Sequence, residues 1–184
     1  MNETISGNAM YYVAIVCPAA INEKVLEYKY WMRDNLGCTV ALKSPAHITL
    51  IPPFWTEETK ETELQQIIQS FQTNLKEVKI QLLRFSHFSN KVIFISVKEN
   101  PALNEIKKQT EAHFIKSFGK IIKEDTRSFH PHITIANRDV KPQAFIKAWQ
   151  HFAGKHFEET FSIKTISLLK LGEGKWNVIG EKSW

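Results

Sequence analysis

The sequence predicts an α+β fold of two similar lobes packed together, each with an antiparallel sheet and with helices on the outside. Strand-like and helix-like segments follow one another in the same order twice along the 184 residues. No linker rich in Gly, Ser or Pro separates the halves, so residues 11–184 are predicted to form one bilobal domain after a flexible tail over residues 1–10. The pseudo-repeat halves span about 11–91 and 92–184. Each half contains one His-x-Thr-x motif, His47-Ile48-Thr49-Leu50 and His132-Ile133-Thr134-Ile135.

The first half begins with a strand and a helix. Tyr11–Cys17 is apolar and rich in strand-forming residues, which predicts a buried strand. Apolar side chains then recur at helical spacing from Ile21 to Leu36, and Gly37 is placed to end that helix. Thr39–Leu42 predicts a short strand before the first motif strand, and Pro52-Pro53 is expected to close the motif strand.

A helix and a hairpin complete the first half. Apolar residues from Leu64 to Leu75 predict an amphipathic helix. Val78–Leu82 alternates apolar and polar residues, as expected of a half-buried strand. Ser86–Lys91 predicts a turn, and Val92–Val97 predicts the returning strand.

The second half repeats this order. Asn100-Pro101 is a favourable N-cap and first-turn pair for a helix that Gly119 ends. The second motif strand follows, and then a helix over Phe145–Phe152. Phe161–Leu171 predicts one long strand, and Trp176–Gly180 predicts the last strand after a short turn.

Each motif has two faces, because side chains alternate along a strand. His47 and Thr49 share one face, about 6–7 Å apart along the strand, and Ile48 and Leu50 share the other. The second motif has the same arrangement. Since duplicated units often pack with approximate two-fold symmetry, we expect both His-Thr faces to meet at a central cleft while the aliphatic faces anchor the strands in the core.

Two histidines and two threonines on a common cleft fit phosphodiester cleavage. An imidazole can give or take a proton near neutral pH, so one of His47 and His132 can act as base and the other as acid. The sequence does not assign the two roles. The hydroxyls of Thr49 and Thr134 can donate hydrogen bonds to oxygens that gain negative charge in the transition state. No nucleophilic Ser or Cys stands in a recognisable motif, so acyl transfer fits less well.

Two other classes of function stay open at this point. The paired histidines could hold zinc, and His130 could supply the third ligand that such a site needs. Alternatively, the chain could be an RNA-binding module without turnover that stacks bases on Phe54, Trp55 and Phe129. Phe54 and Trp55 fit a core position equally well.

Composition favours a cytoplasmic globular protein, and we expect the chain to be a monomer. Apolar residues make up 43% and charged residues 23% of the chain, as in ordinary globular proteins. The net charge of +5 favours an anionic partner. Cys17 and Cys38 do not have the spacing of a metal-binding motif. A protein in a reducing compartment is the simplest account of these two cysteines. No apolar run approaches the roughly 20 residues that span a membrane.

The two motifs resemble those of the two-histidine (2H) phosphoesterase superfamily, and the chain looks closest to its bacterial branch of 2′–5′ RNA ligases and RNA 2′,3′-cyclic phosphodiesterases. The resemblance covers nearly the whole chain, because the duplicated order of elements also matches. It implies a bilobal α+β fold and a metal-independent cleft without a cofactor. It also implies hydrolysis of 2′,3′-cyclic phosphates of RNA ends or small nucleotides, and in some members joining of RNA ends in the reverse direction.

The sequence departs from the RNA ligase pattern after each motif. Ile51-Pro52-Pro53-Phe54-Trp55 stands where many members have an apolar stretch ending in Leu-Gly. Behind the second motif, Ala136-Asn137 precede Arg138, whereas many members place an Arg closer. The residues near the motif strands that we predict to contact substrate are Lys43, Phe54, Trp55, Arg127, Phe129, His130 and Arg138.

Overall fold

The computed structural model describes residues 7–119, 122 and 128–184. This part of the chain contains eight strands and four α-helices. The strands are β1 (Asn8–Val16), β2 (His47–Glu57), β3 (Val78–Phe88), β4 (Val92–Val97), β5 (His132–Ala136), β6 (Glu159–Ile163), β7 (Thr165–Gly172) and β8 (Lys175–Ser183). The helices are α1 (Ala19–Leu36), α2 (Glu61–Gln69), α3 (Pro101–Phe118) and α4 (Pro142–Phe152), with short 3₁₀ turns at Val40–Lys43 and Glu58–Lys60.

The strands form two four-stranded antiparallel sheets, in the orders β2-β1-β7-β8 and β5-β4-β3-β6. Helix α2 packs on β7 and β8, α3 packs on β2 and β3, and α1 packs on β5 and α4. One continuous cluster of buried apolar side chains includes residues of both sheets and of all four helices. The predicted α+β class with two antiparallel sheets is therefore confirmed. None of the helices in the described ranges is long and apolar enough to span a membrane.

The two sheets do not coincide with the two halves of the sequence, because each sheet takes strands from both. The long strand predicted over Phe161–Leu171 is in fact two strands that meet at Lys164. Before Lys164 the chain pairs with β3, where Ile163 lies opposite Val78. After Lys164 it pairs with β1 and β8 of the other sheet, beginning with Thr165 opposite Ser183. A continuous apolar run gives no sign of this change of partner.

Strand β2 continues through Pro52-Pro53 to Glu57, although the two prolines were expected to end it. One of two adjacent prolines can face the open side of this edge strand, where its missing N–H breaks no ladder, and the other is tolerated because neither proline is paired with a residue of β1. Its register with β1 shifts between Tyr11 and Val13, opposite the prolines, and pairing then resumes as far as Asn8. Residues 8–10 therefore belong to β1 and not to the predicted tail, while residues 1–6 of that tail lie outside the described residues.

The predicted helix ends agree with the structure at two positions. Gly37 adopts a left-handed conformation with φ of 69° after α1, and its N–H donates to the Arg33 carbonyl. The Asn100 side chain caps α3 by accepting from the amides of Ala102 at 3.0 Å and Leu103 at 3.2 Å. Helix α2, by contrast, ends at Gln69 and not near Leu75.

The two motif strands are both edge strands, and they lie against each other. Strand β2 is the edge of the first sheet and β5 is an edge of the second, and the two strands are in contact. The aliphatic members of the motifs, Ile48, Leu50, Ile133 and Ile135, all have an exposed fraction of 0%. The hydrophobic faces thus anchor both strands in the core, and the histidines and threonines are left on the opposite faces.

Candidate active site

A cavity of about 390 Å³ is lined by both motifs at once. His47 and Thr49 enter it from β2, and His132 and Thr134 enter it from β5. Two edge strands of separate sheets thereby place two imidazoles and two hydroxyls on one cavity. The other described residues that line it are Met10, Tyr12, Val40, Ala41, Lys43, Ser44, Pro53, Asn137, Arg138, Leu171, Gly174 and Trp176.

The two histidines are held in the same way. Nδ1 of His47 lies 2.8 Å from the carbonyl oxygen of Pro45, and Nδ1 of His132 lies 2.7 Å from the carbonyl oxygen of His130. In both cases the partner is the backbone two residues earlier. A carbonyl oxygen only accepts, so Nδ1 must carry the hydrogen in each ring. In the neutral imidazole, Nε2 is then the unprotonated nitrogen that is available to a ligand in the cavity.

Burial lowers the pKa of both histidines. The pKa of His47 falls to about 4, mainly because the surrounding protein excludes water from the ring. The bond to Pro45 acts in the opposite direction, and the positive charge of Lys29 adds to the lowering. Burial also lowers the pKa of His132, against the effect of its bond to the His130 carbonyl. Both rings are therefore favoured in the neutral form before a substrate binds.

Lys29 supports the segment that precedes the first motif. Its side chain is buried in α1, and Nζ donates to the carbonyl oxygen of Ser44 at 2.9 Å. Burial lowers the pKa of this amine to about 8. Two neighbouring carbonyls before the first motif are thus each held by a side chain: Ser44 accepts from Lys29, and Pro45 accepts from His47.

Aromatic side chains enclose both imidazoles. The ring of Tyr12 lies 4.9 Å from that of His47 and contacts Trp176 edge-on at 4.5 Å between centroids. Phe88 lies 5.0 Å and Phe94 lies 4.9 Å from the ring of His132. These contacts explain the burial that lowers both pKa values.

These aromatic residues were not predicted from the sequence, because they come from strands that carry no motif. The alternation of side chains along β1 divides Tyr11 from Tyr12, but it does not reveal which of the two faces the cavity. That assignment depends on how β1 pairs with β2, and the periodicity of a single strand does not predict this pairing.

The structure places some of the predicted substrate contacts on the cavity. Lys43, at the end of the first 3₁₀ turn, and Arg138, in the loop after β5, both line it. Phe129 and His130 line an adjoining cavity of about 500 Å³, which shares Thr49 and His132 with the first. Arg127 lies outside the described residues.

Phe54 and Trp55 do not fit the stacking platform predicted for them. Phe54 is 9% exposed and packs against Tyr11 and Phe118, so it is a core residue. Trp55 is 59% exposed, but it is not among the described residues that line either cavity. The alternation that starts at His47 continues along β2, so Phe54 falls on the buried face with Ile48 and Leu50. Trp55 falls on the face of His47, but on this strand the lining of the cavity reaches only as far as Pro53.

The alternative hypothesis of a zinc site is not supported by a cluster of metal-binding side chains in the described part of the chain. Within residues 7–119, 122 and 128–184, no group of three or more His, Cys, Asp or Glu side chains is placed to hold a metal ion. His130, which the sequence offered as a third ligand, contributes its backbone carbonyl to His132 and lines the adjoining cavity instead.

Comparisons with known proteins agree with the geometry. The family model of the 2′-5′ RNA ligase superfamily matches residues 19–175. A putative phosphoesterase of Geobacillus thermodenitrificans is 27% identical over 138 residues, which cover 73% of this chain and 75% of the relative.

Solved structures share the fold. The protein TT0787 of Thermus thermophilus superimposes with a TM-score of 0.67 at 16% identity, over 95% of this chain and 97% of its own. LigT of E. coli, complexed with 3′-AMP, gives a TM-score of 0.63 at 16% identity, over 96% and 98% of the two chains. At such low identity, the structural likeness supports the architecture alone.

Proposed function

This chain belongs to the 2′-5′ RNA ligase superfamily, and on that basis we propose that it is a metal-independent phosphoesterase of the two-histidine type. It hydrolyses 2′,3′-cyclic phosphates or 2′–5′ phosphodiesters of RNA ends or nucleotides. The observation that carries the proposal is the single cavity lined by His47, Thr49, His132 and Thr134, with both imidazoles tied through Nδ1 to their own backbone.

A phosphate ester suits the charge of the cavity. Lys43 and Arg138 line it beside the histidines and can neutralise a phosphoryl group. Solved structures of the similar E. coli LigT hold 3′-AMP, NADP⁺, phosphate or ATP. We carry over to this chain only what these ligands have in common, a phosphate group.

We assign the base to His47 and the acid to His132. His47 is strongly favoured in the neutral form, which a base requires, and its free Nε2 can take a proton from water as the oxygen attacks phosphorus. The ester P–O bond opposite the attacking water then breaks, and the departing oxygen takes a proton from Nε2 of His132. The hydroxyls of Thr49 and Thr134 donate to the non-bridging oxygens as these gain charge.

Ligation uses the same groups in the same roles, with an RNA hydroxyl as the nucleophile and the departing oxygen again protonated by His132. If an RNA hydroxyl takes the place of water, His47 removes its proton and a 2′–5′ bond forms as the cyclic phosphate opens. Water and the RNA hydroxyl then compete for the same cyclic phosphate, and the water activity and the concentration of RNA ends decide which product prevails.

The pH dependence of kcat/KM should be bell-shaped, with its optimum below pH 6.5. The rate should rise with pH as His47 loses its proton at about pH 4, and should fall as His132 deprotonates below its ordinary pKa of 6.5. Initial rates at low substrate concentration across pH 3.5–9 provide the measurement. The acidic and basic sides of this pH profile report macroscopic pKa values of the coupled histidine pair. The pH profile of each single-histidine variant must therefore be measured as well. An optimum above pH 7 would contradict the assignment.

Turnover of a panel of small 2′,3′-cyclic nucleotides, cyclic-phosphate-ended oligoribonucleotides and 2′–5′ dinucleotides tests the function directly. We expect hydrolysis of at least one class, at the same rate before and after exhaustive treatment with EDTA, because proton transfer by the two histidines needs no metal ion. Phosphorus NMR identifies the product. Activity that EDTA abolishes and Zn²⁺ restores would instead favour a zinc hydrolase. RNA binding without hydrolysis of any panel member would favour the binding module.

A further inference from the structure

The carboxylate of Asp139 ties together two walls of the cavity that come from distant parts of the chain. Asp139 lies in the loop between β5 and α4, after the second motif. Its Oδ2 accepts from the backbone N–H of Thr39 at 2.6 Å and from that of Val40 at 3.0 Å. Both amides stand at the start of the 3₁₀ turn that precedes the first motif.

Each of these two segments carries a cation of the cavity. The 3₁₀ turn contributes Val40, Ala41 and Lys43 to the lining. The loop contributes Asn137 and Arg138, the two residues that directly precede Asp139. One carboxylate therefore links the backbone that supports Lys43 to the backbone that supports Arg138.

The loop adopts a conformation that needs external support. Arg138 has a φ of 55°, in the left-handed region that is unfavourable for a residue with a side chain. Arg138 is the central residue of a tight turn, in which the Asp139 N–H donates to the carbonyl oxygen of Asn137 with an N···O distance of 2.5 Å. The amides of the 3₁₀ turn also need a partner, because the first N–H groups of a helix have none within it and the N-cap Thr39 supplies no side-chain bond. Asp139 meets both needs.

We propose that Asp139 is a positioning residue that holds Lys43 and Arg138 at the spacing a phosphate ester requires. This inference rests on the proposed function of the cavity.

The negative charge of Asp139 allows a test by the direction in which anion affinity changes when the residue is removed. A negative charge beside an anion site weakens anion binding, so a residue that acted only through its charge would improve the site when removed. A residue that acts by holding the walls would impair the site when removed, despite the loss of repulsion.

The experiment compares Asp139→Ala with Asp139→Asn. The amide oxygen of Asn can still accept from Thr39 and Val40 but carries no charge. Asp34→Ala serves as the control, since Asp34 is exposed on α1, pairs with its neighbour Arg33 and changes the net charge equally. The readouts are kcat and KM on the best substrate of the panel, affinity for inorganic phosphate by calorimetry, and Tm.

We expect Asp139→Ala to raise KM, and to weaken phosphate binding, on the order of tenfold, while kcat stays within about threefold of the wild type. Asp139→Asn should bind phosphate as well as the wild type or better, and Asp34→Ala should match the wild type. A lowered Tm for Asp139→Ala with unchanged KM and phosphate affinity would show a purely structural role and overturn the proposal. Tighter binding by both Asp139 variants would overturn it as well, in favour of a charge effect.

Failure of this inference differs from failure of the proposed function. Hydrolysis by the wild type with no dependence of KM on Asp139 would overturn the positioning role and leave the phosphoesterase standing. Absence of hydrolysis, with phosphate binding that is still lost in Asp139→Ala, would overturn the phosphoesterase and leave the positioning role standing. Absence of both hydrolysis and phosphate binding in the wild type would overturn both.

Discussion

His47→Ala and His132→Ala should each lower kcat on a 2′,3′-cyclic phosphate by on the order of 10²–10⁴-fold, the usual effect of losing a positioned acid or base. The two losses have different causes in the proposed mechanism. Without His47, the attacking water keeps its proton, and without His132, the departing oxygen leaves as an alkoxide. The double variant should be little worse than either single one, because groups that act as a unit are strongly non-additive.

Both histidine variants should remain folded. Ile48 and Leu50 on β2, and Ile133 and Ile135 on β5, stay fully buried on the opposite faces. Initial rates, with circular dichroism as the folding check, measure the effect. His156→Ala is the matched control, since His156 is exposed and lines neither of the two cavities around the motifs, and it should keep wild-type activity. A folded His47→Ala or His132→Ala variant with near-full activity would exclude the two-histidine mechanism.

Thr49→Val and Thr134→Val should each lower kcat by roughly 10–10³-fold, if each hydroxyl supplies one hydrogen bond to an oxygen that gains charge. Valine keeps the branched shape that suits a strand and removes only the donor. The Thr→Ser variants should recover most of the activity, because serine restores the hydroxyl.

The threonine prediction is checked by comparing kcat with KM for the four variants. A bond that forms mainly in the transition state lowers kcat and kcat/KM together, whereas a uniform binding contact raises KM alone. Thr160→Val on β6 is the control, since Thr160 is an exposed strand residue outside both cavities. Equal rates for the Val and Ser variants at either motif position would show that the hydroxyl there has no role in catalysis.

From the sequence alone, the class of fold and the chemistry of the two motifs could be predicted, because both depend on local patterns. Alternation along a strand was enough to separate His47 from Ile48 and His132 from Ile133, and all four residues lie on the expected faces. The ends of α1 and α3 follow from the left-handed conformation of Gly37 and the side-chain cap of Asn100, which are equally local.

The tertiary structure decided which residues surround those motifs. Phe161–Leu171 is one apolar run in the sequence, but Lys164 divides it between two sheets. Phe54 and Trp55 follow the first motif directly and were predicted to stack a base, whereas packing leaves Phe54 in the core and Trp55 outside both cavities. The pairing of β1, which no local pattern shows, places Tyr12 beside His47. Asp139 could not be related to Thr39 by any spacing. Side-chain periodicity is a property of a single strand, whereas strand order, register and contacts between loops depend on packing of the whole chain, which no local pattern contains.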